Sequence, residues 1–293
     1  MYPQTTCPSC EGEDLHAFPA LLSPFIARYV MNCPPRPSWL MHCRSCGFRF
    51  FAERFTADEA ARLYDGYRGP RYYHARRREE PWYTEALNAG FERDPAAIAA
   101  RKAAVFSFLR EAGAGPVDRV LDYGGDRGQF IPEALGQQRF VYDISGVDTV
   151  DGVIGLRQPE ALAPGFFDLV MLSHVLEHCS DLDGVLAQVR GMVRGAGHLF
   201  VEVPLERPNL RAIPTTGRLA AAYARYLGAL CRAPLLLKAV DFYSSAARIK
   251  LNTVPPGGFI KLHEHINFFT VTSLTRILER AGCRVIRCEV VRG

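Results

Sequence analysis

The chain has 293 residues, of which 48% are hydrophobic and 23% are charged, and its formal net charge is +4. This composition excludes a disordered chain and a coiled coil, and the net charge is too small to indicate nucleic-acid binding by itself. The sequence has no uncharged apolar run of the roughly 18 residues that a membrane-spanning helix needs. Its first residues lack a basic start and an apolar core, so we expect no signal peptide and a cytoplasmic protein.

Two pairs of cysteines near the N-terminus have the spacing C-x-x-C, Cys7 with Cys10 and Cys43 with Cys46. In a chain of this length such pairs favour metal binding over disulfides. Four thiolates complete the tetrahedral coordination of zinc and leave no open position for catalysis. We therefore predict a structural zinc site, with a loop or small hairpin in the 32 residues between the pairs. A redox C-x-x-C is the alternative.

Residues 56–115 are predicted to be mainly helical. Thr56 and Glu59 have the spacing of a capping box, and an alanine-rich amphipathic helix is predicted over 95–112. Between them, residues 68–83 mix arginines with aromatic residues. This mixture suits phosphate binding or base stacking, and it suits equally a solvated linker whose aromatic residues pack on the next domain.

From residue 117 the pattern alternates between strand and helix, which indicates a parallel, doubly wound sheet. The predicted strands are 117–123, 139–144, 152–156, 166–173 and 198–203, and the predicted helices are 128–136 and 181–194. A final helix is predicted over 272–281, with Gly282 just after its end. A last strand is predicted over 284–291.

The segment 207–262 interrupts this alternation and holds most of the positive charge. It contains nine lysines or arginines and one acid, Asp241, so its net charge is +8 and the rest of the chain is net −4. Arg218, Arg225 and Arg232 are seven residues apart and form one stripe on a predicted helix. We interpret the segment first as a lid over an anionic substrate, then as an oligomer contact, and last as a surface for peripheral membrane contact.

A glycine-rich turn follows the first predicted strand of the alternating region. The sequence runs Asp122, Tyr123, Gly124, Gly125, Asp126, Arg127, Gly128. Glycines let the backbone approach a ligand closely, and a following helix offers free N–H groups. Asp143 ends the second strand, where an acid can accept hydrogen bonds from the hydroxyls of a ribose. Dinucleotide oxidoreductases prefer G-x-G-x-x-G at this turn.

This turn resembles the first motif of class I S-adenosylmethionine-dependent methyltransferases, acid-x-Gly-x-Gly-x-Gly, with Asp126 in place of the middle glycine. The run from Phe167 to His178 and the later His265-Ile266-Asn267-Phe268-Phe269-Thr270 resemble the small-molecule branch. With its N-terminal cysteines, the chain is similar to sugar C-methyltransferases. The family normally closes its sheet with two final strands, whereas this sequence has one.

The resemblance implies S-adenosylmethionine as the cofactor. The turn would hold its methionine part, Asp143 its ribose, and Ile144 would flank the adenine. The implied cofactor-binding residues are Asp122, Tyr123, Gly124, Gly125, Gly128, Asp143, Ile144 and Ser173. The implied acceptor is a small anionic intermediate, first a nucleotide-linked sugar. Alternatives are a natural-product or lipid-linked glycan intermediate, RNA, and an inactive zinc-binding scaffold.

Four histidines are candidate catalytic bases, because methyl transfer to a weak nucleophile needs a base with a pKa near 7. His174 and His178 follow the fourth strand, at the sheet edge where such folds bind substrates. His263 and His265 flank Glu264, and an extended chain would put both on one side. A divalent metal held by two or three of these histidines with Glu177 or Glu264 is the alternative.

The sequence thus predicts an α/β protein with a Rossmann-like, doubly wound, mostly parallel sheet. We predict a zinc-binding module over 1–55 and a helical cap over 56–115. The methyltransferase core would comprise 116–206 and 263–293, and the helical lid insert 207–262. We expect a small-molecule substrate, no nucleic acid, and a homo-oligomer as one option.

Overall fold

A computed structural model describes residues 5–89, 94–158 and 163–291. The chain divides into two compact units. The first comprises Met1–Leu63, Pro70–Thr84 and Pro204–Ile277, and the second comprises Tyr64–Gly69, Glu85–Val203 and Leu278–Gly293. Within the described ranges, no helix is both long and apolar enough to cross a membrane.

The elements follow one another along the chain in this order. In the N-terminal part they are β1 (Leu15–Leu22), a π-helical turn (Ile26–Val30), β2 (Pro37–Cys43), β3 (Arg49–Phe51), α1 (Ala57–Tyr64), α2 (Pro70–Glu79), α3 (Glu85–Ala89) and α4 (Pro95–Glu111). They continue with β4 (Arg119–Tyr123), β5 (Gln138–Tyr142), β6 (Ile154–Leu156), β7 (Phe167–Ser173), α5 (Leu182–Met192) and β8 (Val193–Glu202). The last are α6 (Gly217–Cys231), α7 (Pro234–Leu251), β9 (Lys261–Leu262), β10 (Asn267–Phe268) and α8 (Val271–Arg280).

The first unit is built on a five-stranded sheet with the order β10-β3-β2-β1-β9. β1 and β2 pair antiparallel, from Leu15 opposite Cys43 to Leu21 opposite Pro37. The 32 residues between the cysteine pairs therefore hold most of two long strands and not a small hairpin. Strands from the far end of the sequence close both edges, because β9 pairs with β1 and β10 pairs with β3.

The helices of the predicted insert pack on this first sheet. α6 and α7 bury a cluster of apolar side chains that includes Leu21 of β1, Leu227 and Leu230 of α6, Leu237 of α7, and Phe259. The predicted arginine stripe is exposed, with Arg218 and Arg225 on α6 and Arg232 directly after its end. The helical prediction for the insert is confirmed, and Pro234 begins the second helix at its first position, where a missing N–H costs nothing.

The second unit contains a parallel sheet with the order β6-β5-β4-β7-β8. β7 lies inside it and is almost continuously buried, as expected of a strand with both faces covered. The apolar core lies against α4, through Val105 and Leu109, and against β4 and β7, through Val120 and Leu169. The Rossmann-like, mostly parallel sheet predicted from the sequence is confirmed.

Two predicted elements are wrong. Residues 128–136 form successive turns, closed by Gly128 N–H on the Gly125 carbonyl over 2.8 Å and Leu135 N–H on the Pro132 carbonyl over 3.0 Å. Pro132 would stand in the interior of the predicted helix, where it removes a hydrogen bond and its ring clashes with the preceding turn. Residues 284–288 alternate between exposed and half-buried, residues 289–291 are all exposed, and 284–291 form no strand with the described strands. Alternation gives a chain two faces, but a strand also needs a neighbouring strand to pair with.

Helix boundaries follow local chemistry closely. Thr56 and Glu59 form the predicted capping box, with the Thr56 N–H donating to Glu59 Oε2 over 2.8 Å and the Glu59 N–H donating to Thr56 Oγ1 over 3.2 Å. Gly282 has φ +79° just after α8, as a helix-ending glycine requires.

The two compact units differ from the predicted domain boundaries, because Pro204–Ile277 groups with the N-terminal sheet.

Candidate functional site

The glycine turn lies at the carboxyl edge of the parallel sheet, directly after β4. Gly124 and Gly128 both have φ +76°. A Cβ at Gly124 would lie 2.7 Å from Val175 Cγ2, and one at Gly125 would lie 2.3 Å from Asp122 Cγ. Any side chain at these positions would collide with the packing around the turn. The close packing of the turn therefore requires glycine at these positions. Most of its amides are already used, because the following N–H groups donate within the protein: Gly124, Asp126, Arg127 and Gly128.

Asp126 adopts the left-handed conformation, with φ +52°. Aspartate tolerates this region better than most residues, so it can stand where the methyltransferase motif has a glycine. Its backbone N–H donates to Asp143 Oδ2 over 2.9 Å, and its own Oδ2 accepts from the Gln129 side chain over 2.9 Å. The substitution thus preserves the turn and fixes the loop after β5.

Asp122 is a buried carboxyl group in an acidic surrounding. Neither of its oxygens has a hydrogen-bond partner among the described residues. Burial raises the pKa of Asp122 to about 7; Arg101 opposes this rise, and the charges of Asp143 and Glu202 add to it. A buried acceptor without a donor is costly unless a ligand supplies one. The cationic sulfonium and amino groups of S-adenosylmethionine fit such a site electrostatically.

Asp143 is held firmly beside the turn. Its Oδ1 accepts from the Ser145 N–H over 2.8 Å and from the Ser145 hydroxyl, while Oδ2 accepts from Asp126. Each carboxylate oxygen can accept more than one hydrogen bond, so the group keeps capacity for ribose hydroxyls. Ile144 beside it is exposed.

The two remaining predicted cofactor residues lie at the ends of β7 and β4. The Ser173 hydroxyl is buried and has no hydrogen-bond partner within the described ranges. The Tyr123 hydroxyl donates to the Gln188 side chain on α5 over 3.0 Å, and its ring lies 5.0 Å from that of Tyr142. The Tyr123 side chain therefore ties α5 to the sheet. Orphaned polar atoms at Asp122 and Ser173 and a turn that admits no Cβ together fit a bound S-adenosylmethionine.

His174 and His178 lie in a turn after β7. His174 has φ +57°, and its backbone N–H donates to the Glu202 carbonyl over 2.9 Å. Its Nδ1 lies 3.1 Å from Glu177 Oε1, and His178 Nε2 lies 4.0 Å from the same oxygen. A left-handed conformation at a non-glycine residue beside a ligand edge is typical of functional positions. Glu177, which is fully buried, orients the His174 ring and lies near that of His178.

His263 and His265 lie in the first unit and line one cavity of about 230 Å³ together with Glu264. His263 stacks on Phe25, and burial lowers its pKa, which favours the neutral ring. His265 instead pairs through Nδ1 with Glu206.

A buried ionic network surrounds this smaller cavity. Arg76 pairs with Glu80 over 2.8 Å and with Glu264 over 2.9 Å, while Lys261 Nζ lies 2.8 Å from Asp241. Arg76 also lies over the Tyr83 ring, 3.9 Å from its centroid. The buried acids balance these cations. Arg76, from the arginine- and aromatic-rich stretch 68–83, thus belongs to a buried network in which acids balance the positive charges. The sequence did not predict this network.

A second cavity of the first unit, of about 320 Å³, is lined by Arg49 and Arg207. Arg49 donates to the Pro208 carbonyl over 2.8 Å, and neither arginine has an acidic partner in the described part of the chain. Burial and the charge of Arg207 lower the pKa of Arg49. Glu206 also lines the cavity, but it pairs with His265. No sequence pattern connects these arginines, because they come from distant segments.

The four predicted zinc ligands come together. Cys7 Sγ lies 3.7 Å from Cys46 Sγ, and Cys10 Sγ lies 3.6 Å from Cys43 Sγ. All four sulfurs lie within 4.8 Å of one another. Tetrahedral zinc with sulfur ligands at about 2.3 Å requires sulfur–sulfur separations of about 3.8 Å, so the cluster fits zinc.

Comparison with known proteins identifies the family of the chain. The family model described as a methyltransferase domain matches residues 92–287. The chain belongs to this methyltransferase family. It is a class I S-adenosylmethionine-dependent methyltransferase, as the resemblance implied. No curated protein matches the chain.

Several solved structures are similar to parts of the methyltransferase. The YcgJ protein of Bacillus subtilis is 14% identical, with 61% of this chain and 67% of that chain covered and a TM-score of 0.34. A possible histamine N-methyltransferase of Thermotoga maritima is 17% identical, with 66% and 78% covered and a TM-score of 0.33. A putative O-methyltransferase of Nostoc punctiforme is 16% identical, with 66% and 52% covered and a TM-score of 0.34. Similarity this low says nothing about the acceptor.

Proposed function

We propose that this methyltransferase acts on a small anionic acceptor, first a nucleotide-linked sugar. The observation that carries the proposal is the cavity lined by Arg49 and Arg207. Its volume of about 320 Å³ lies within the range of small-molecule sites, which begins at roughly 300 Å³. Two arginines without acidic partners among the described residues would repel each other unless an anion lies between them.

A phosphate or carboxylate group of the acceptor is the ligand that suits this pair. Arginine binds such groups through two parallel hydrogen bonds. Arg49 donates through Nη1 to the Pro208 carbonyl. Its side chain is therefore already partly ordered and loses less conformational entropy when a ligand binds. The +8 charge of residues 207–262 would also attract an anion.

The cofactor would be held by the turn from Asp122 to Gly128, by Asp143 and by Ser173. When bound, it supplies a methyl group on a sulfonium sulfur for in-line displacement, so the protein mainly positions and orients the reactants. Asp122 would accept a hydrogen bond or balance positive charge with its unpaired oxygens. Asp143 would orient the ribose, while Ile144 would flank the adenine.

A neutral histidine would remove the acceptor's proton where the nucleophile requires it. His263 is the first choice, because burial keeps it uncharged and it lines a cavity. His265 pairs with Glu206, His174 is oriented by Glu177, and His178 lies near the same carboxylate. These three histidines remain proposed alternatives.

The four cysteines would bind zinc as a structural ion. They lie before the start of β1 and at the end of β2, and Gly47 N–H donates to the Cys43 carbonyl over 2.8 Å within the second turn. With all coordination positions taken by sulfur, the ion would stabilise the first unit and take no part in catalysis. We also propose the cytoplasmic location that the sequence suggests.

The test is thermal unfolding of the intact protein with S-adenosylhomocysteine, alone and with a panel of nucleotide sugars. A ligand at about 100 times its Kd stabilises by roughly 2.7 kcal/mol. A shift with the cofactor product and a further shift with one nucleotide sugar supports the proposal. A cofactor shift without any response to nucleotides favours a natural-product or lipid-linked acceptor, and salt-sensitive binding to bulk RNA favours RNA. No shift at all favours an inactive scaffold.

A further inference from the structure

The outer face of α7 is apolar. Leu235, Phe242 and Ile249 follow one another at seven-residue spacing, and Leu235 is 87% and Ile249 80% exposed. Leu236 and Tyr243 lie beside them and are also exposed. Exposed leucines are common singly, but a continuous apolar helix face indicates an interaction surface.

The exposed apolar face of α7 is distinct from the side that packs on the rest of the first unit. The opposite side of α7 buries Leu237, Asp241 and Ser244, and Leu237 belongs to the apolar cluster shared with α6 and β1. The helix therefore has a packed inner side and a second, outward apolar side. A helix with two apolar sides has more hydrophobic surface than the fold of the first unit uses.

The exposed charged residues of the α6–α7 pair are basic. Arg218 and Arg225 are exposed on α6, Arg232 is exposed just after it, and Lys250 is exposed on α7. The acid of the 207–262 segment, Asp241, is buried and paired with Lys261. The exposed charge of this helix pair is thus entirely positive.

Charge complementarity decides which partner suits the surface. A two-fold contact between copies of the chain would bring the same basic residues together and would be repulsive. A bilayer that contains anionic lipids complements both features, because it accepts the apolar side chains at its interface and attracts the arginines. Long basic side chains can extend to the headgroups while their stems remain in apolar surroundings.

We propose that the α6–α7 pair binds the surface of an anionic membrane, with Leu235, Phe242 and Ile249 inserted at the headgroup boundary. Since no described helix could cross a membrane, the protein would lie on the bilayer surface. This proposal does not depend on which acceptor is used, although Ile249 also lines the cavity of His263. It places membrane contact ahead of the oligomer contact that the sequence alone favoured.

Flotation of the intact protein with vesicles tests the proposal. We expect binding to vesicles of phosphatidylcholine mixed with phosphatidylglycerol, weaker binding to phosphatidylcholine alone, and loss of binding as salt is added. Leu235→Gln combined with Ile249→Gln should abolish flotation. Leu87→Gln, at an exposed leucine of α3 outside the helix pair, is the matched control and should float like the wild type.

Arg218→Gln, Arg225→Gln and Arg232→Gln together should remove the preference for anionic vesicles, by about fivefold in partitioning for each arginine. Circular dichroism of every variant verifies folding, which these exposed positions should not disturb. No flotation of the wild type, or unchanged flotation of the double variant, overturns the proposal. A wild-type dimer that the double variant converts to monomer, measured by light scattering, overturns it in favour of a self-contact.

Discussion

The backbone N–H of Asp126 donates to Asp143 Oδ2 over 2.9 Å. Asp126 stands where related methyltransferases have a glycine, and Asp143 is the acid expected to bind the ribose. The departure from the motif therefore does not disrupt the site. It joins the turn after β4 to the loop after β5 and holds the Asp143 carboxylate in place.

Asp143→Ala should weaken binding of S-adenosylhomocysteine by roughly 10- to 100-fold, because hydrogen bonds to a charged group contribute about 1.5–3 kcal/mol. Isothermal titration calorimetry measures the change. Asp151→Ala, at an exposed acid in the following turn, is the control and should bind normally. Equal affinity in Asp143→Ala and wild type would contradict the ribose role.

Asp122→Asn should separate stability from cofactor binding. The pKa of Asp122 is raised to about 7 in the folded protein, and an exposed aspartate titrates near 3.9. The folded state thus keeps a proton that the unfolded state loses, so this group's contribution to stability falls as pH rises between these values and stays low above pH 7.

Without cofactor, Asp122→Asn should therefore be more stable than wild type at pH 8 and lose this advantage toward pH 4. Its affinity for S-adenosylhomocysteine should be lower. Urea unfolding across this pH range measures the first effect and calorimetry the second. A constant stability difference at all pH values would show that Asp122 is not protonated in the folded protein.

Cys7→Ser should lower the zinc content of the purified protein and its Tm by several degrees, because a structural metal contributes directly to folding. Mass spectrometry of the metal content and thermal unfolding measure these effects. Cys231→Ser, at a cysteine outside the four-sulfur cluster, should retain the metal. A wild-type protein that is fully stable after chelation, with no zinc bound, would contradict the zinc proposal.

Arg49→Gln should raise the KM for the acceptor by roughly 10- to 100-fold, since it removes a charge-assisted hydrogen bond to an anion. Binding of S-adenosylhomocysteine should not change. Arg44→Gln, at an exposed arginine nearby in the sequence, is the control. An unaltered KM would remove the Arg49–Arg207 cavity from acceptor binding.

His263→Gln should lower kcat by roughly 100- to 10,000-fold if His263 is the general base, with little change in cofactor affinity. Because burial lowers the pKa of His263, the wild-type enzyme should stay active down to a pH below 6.5 and lose activity only beneath it. His74→Gln, at an exposed histidine of α2, should behave like wild type. Persistence of the same acidic limb in His263→Gln would transfer the role to another group.

Features encoded by spacing along the chain could be predicted from the sequence. The cysteine pairs, the capping box at Thr56 and Glu59, and the strand–turn–acid series around Asp122 each depend on residues close together in sequence. The alternation of strands and helices likewise predicted the parallel sheet. Residues close together in sequence have few possible relative positions. Their role can therefore be predicted before the fold is known.

The helix predicted over 128–136 from local periodicity does not form. Its periodicity suited a helix, but the connection from β4 to β5 is short and contains Pro132. The strand predicted over 284–291 fails for a related reason. Alternation describes a chain with two faces, whereas a strand also needs a neighbouring edge with free hydrogen-bonding groups.

The sequence alone determined the family, the glycine turn, the candidate ribose acid and the candidate zinc ligands. Only the tertiary structure brought Arg49 beside Arg207, put Lys261 against Asp241, and closed the N-terminal sheet with β9 and β10. These relationships join segments far apart in the chain. Contacts between distant segments are determined by which charges and apolar surfaces become buried together in the folded protein. Such contacts leave no periodic signal along the sequence.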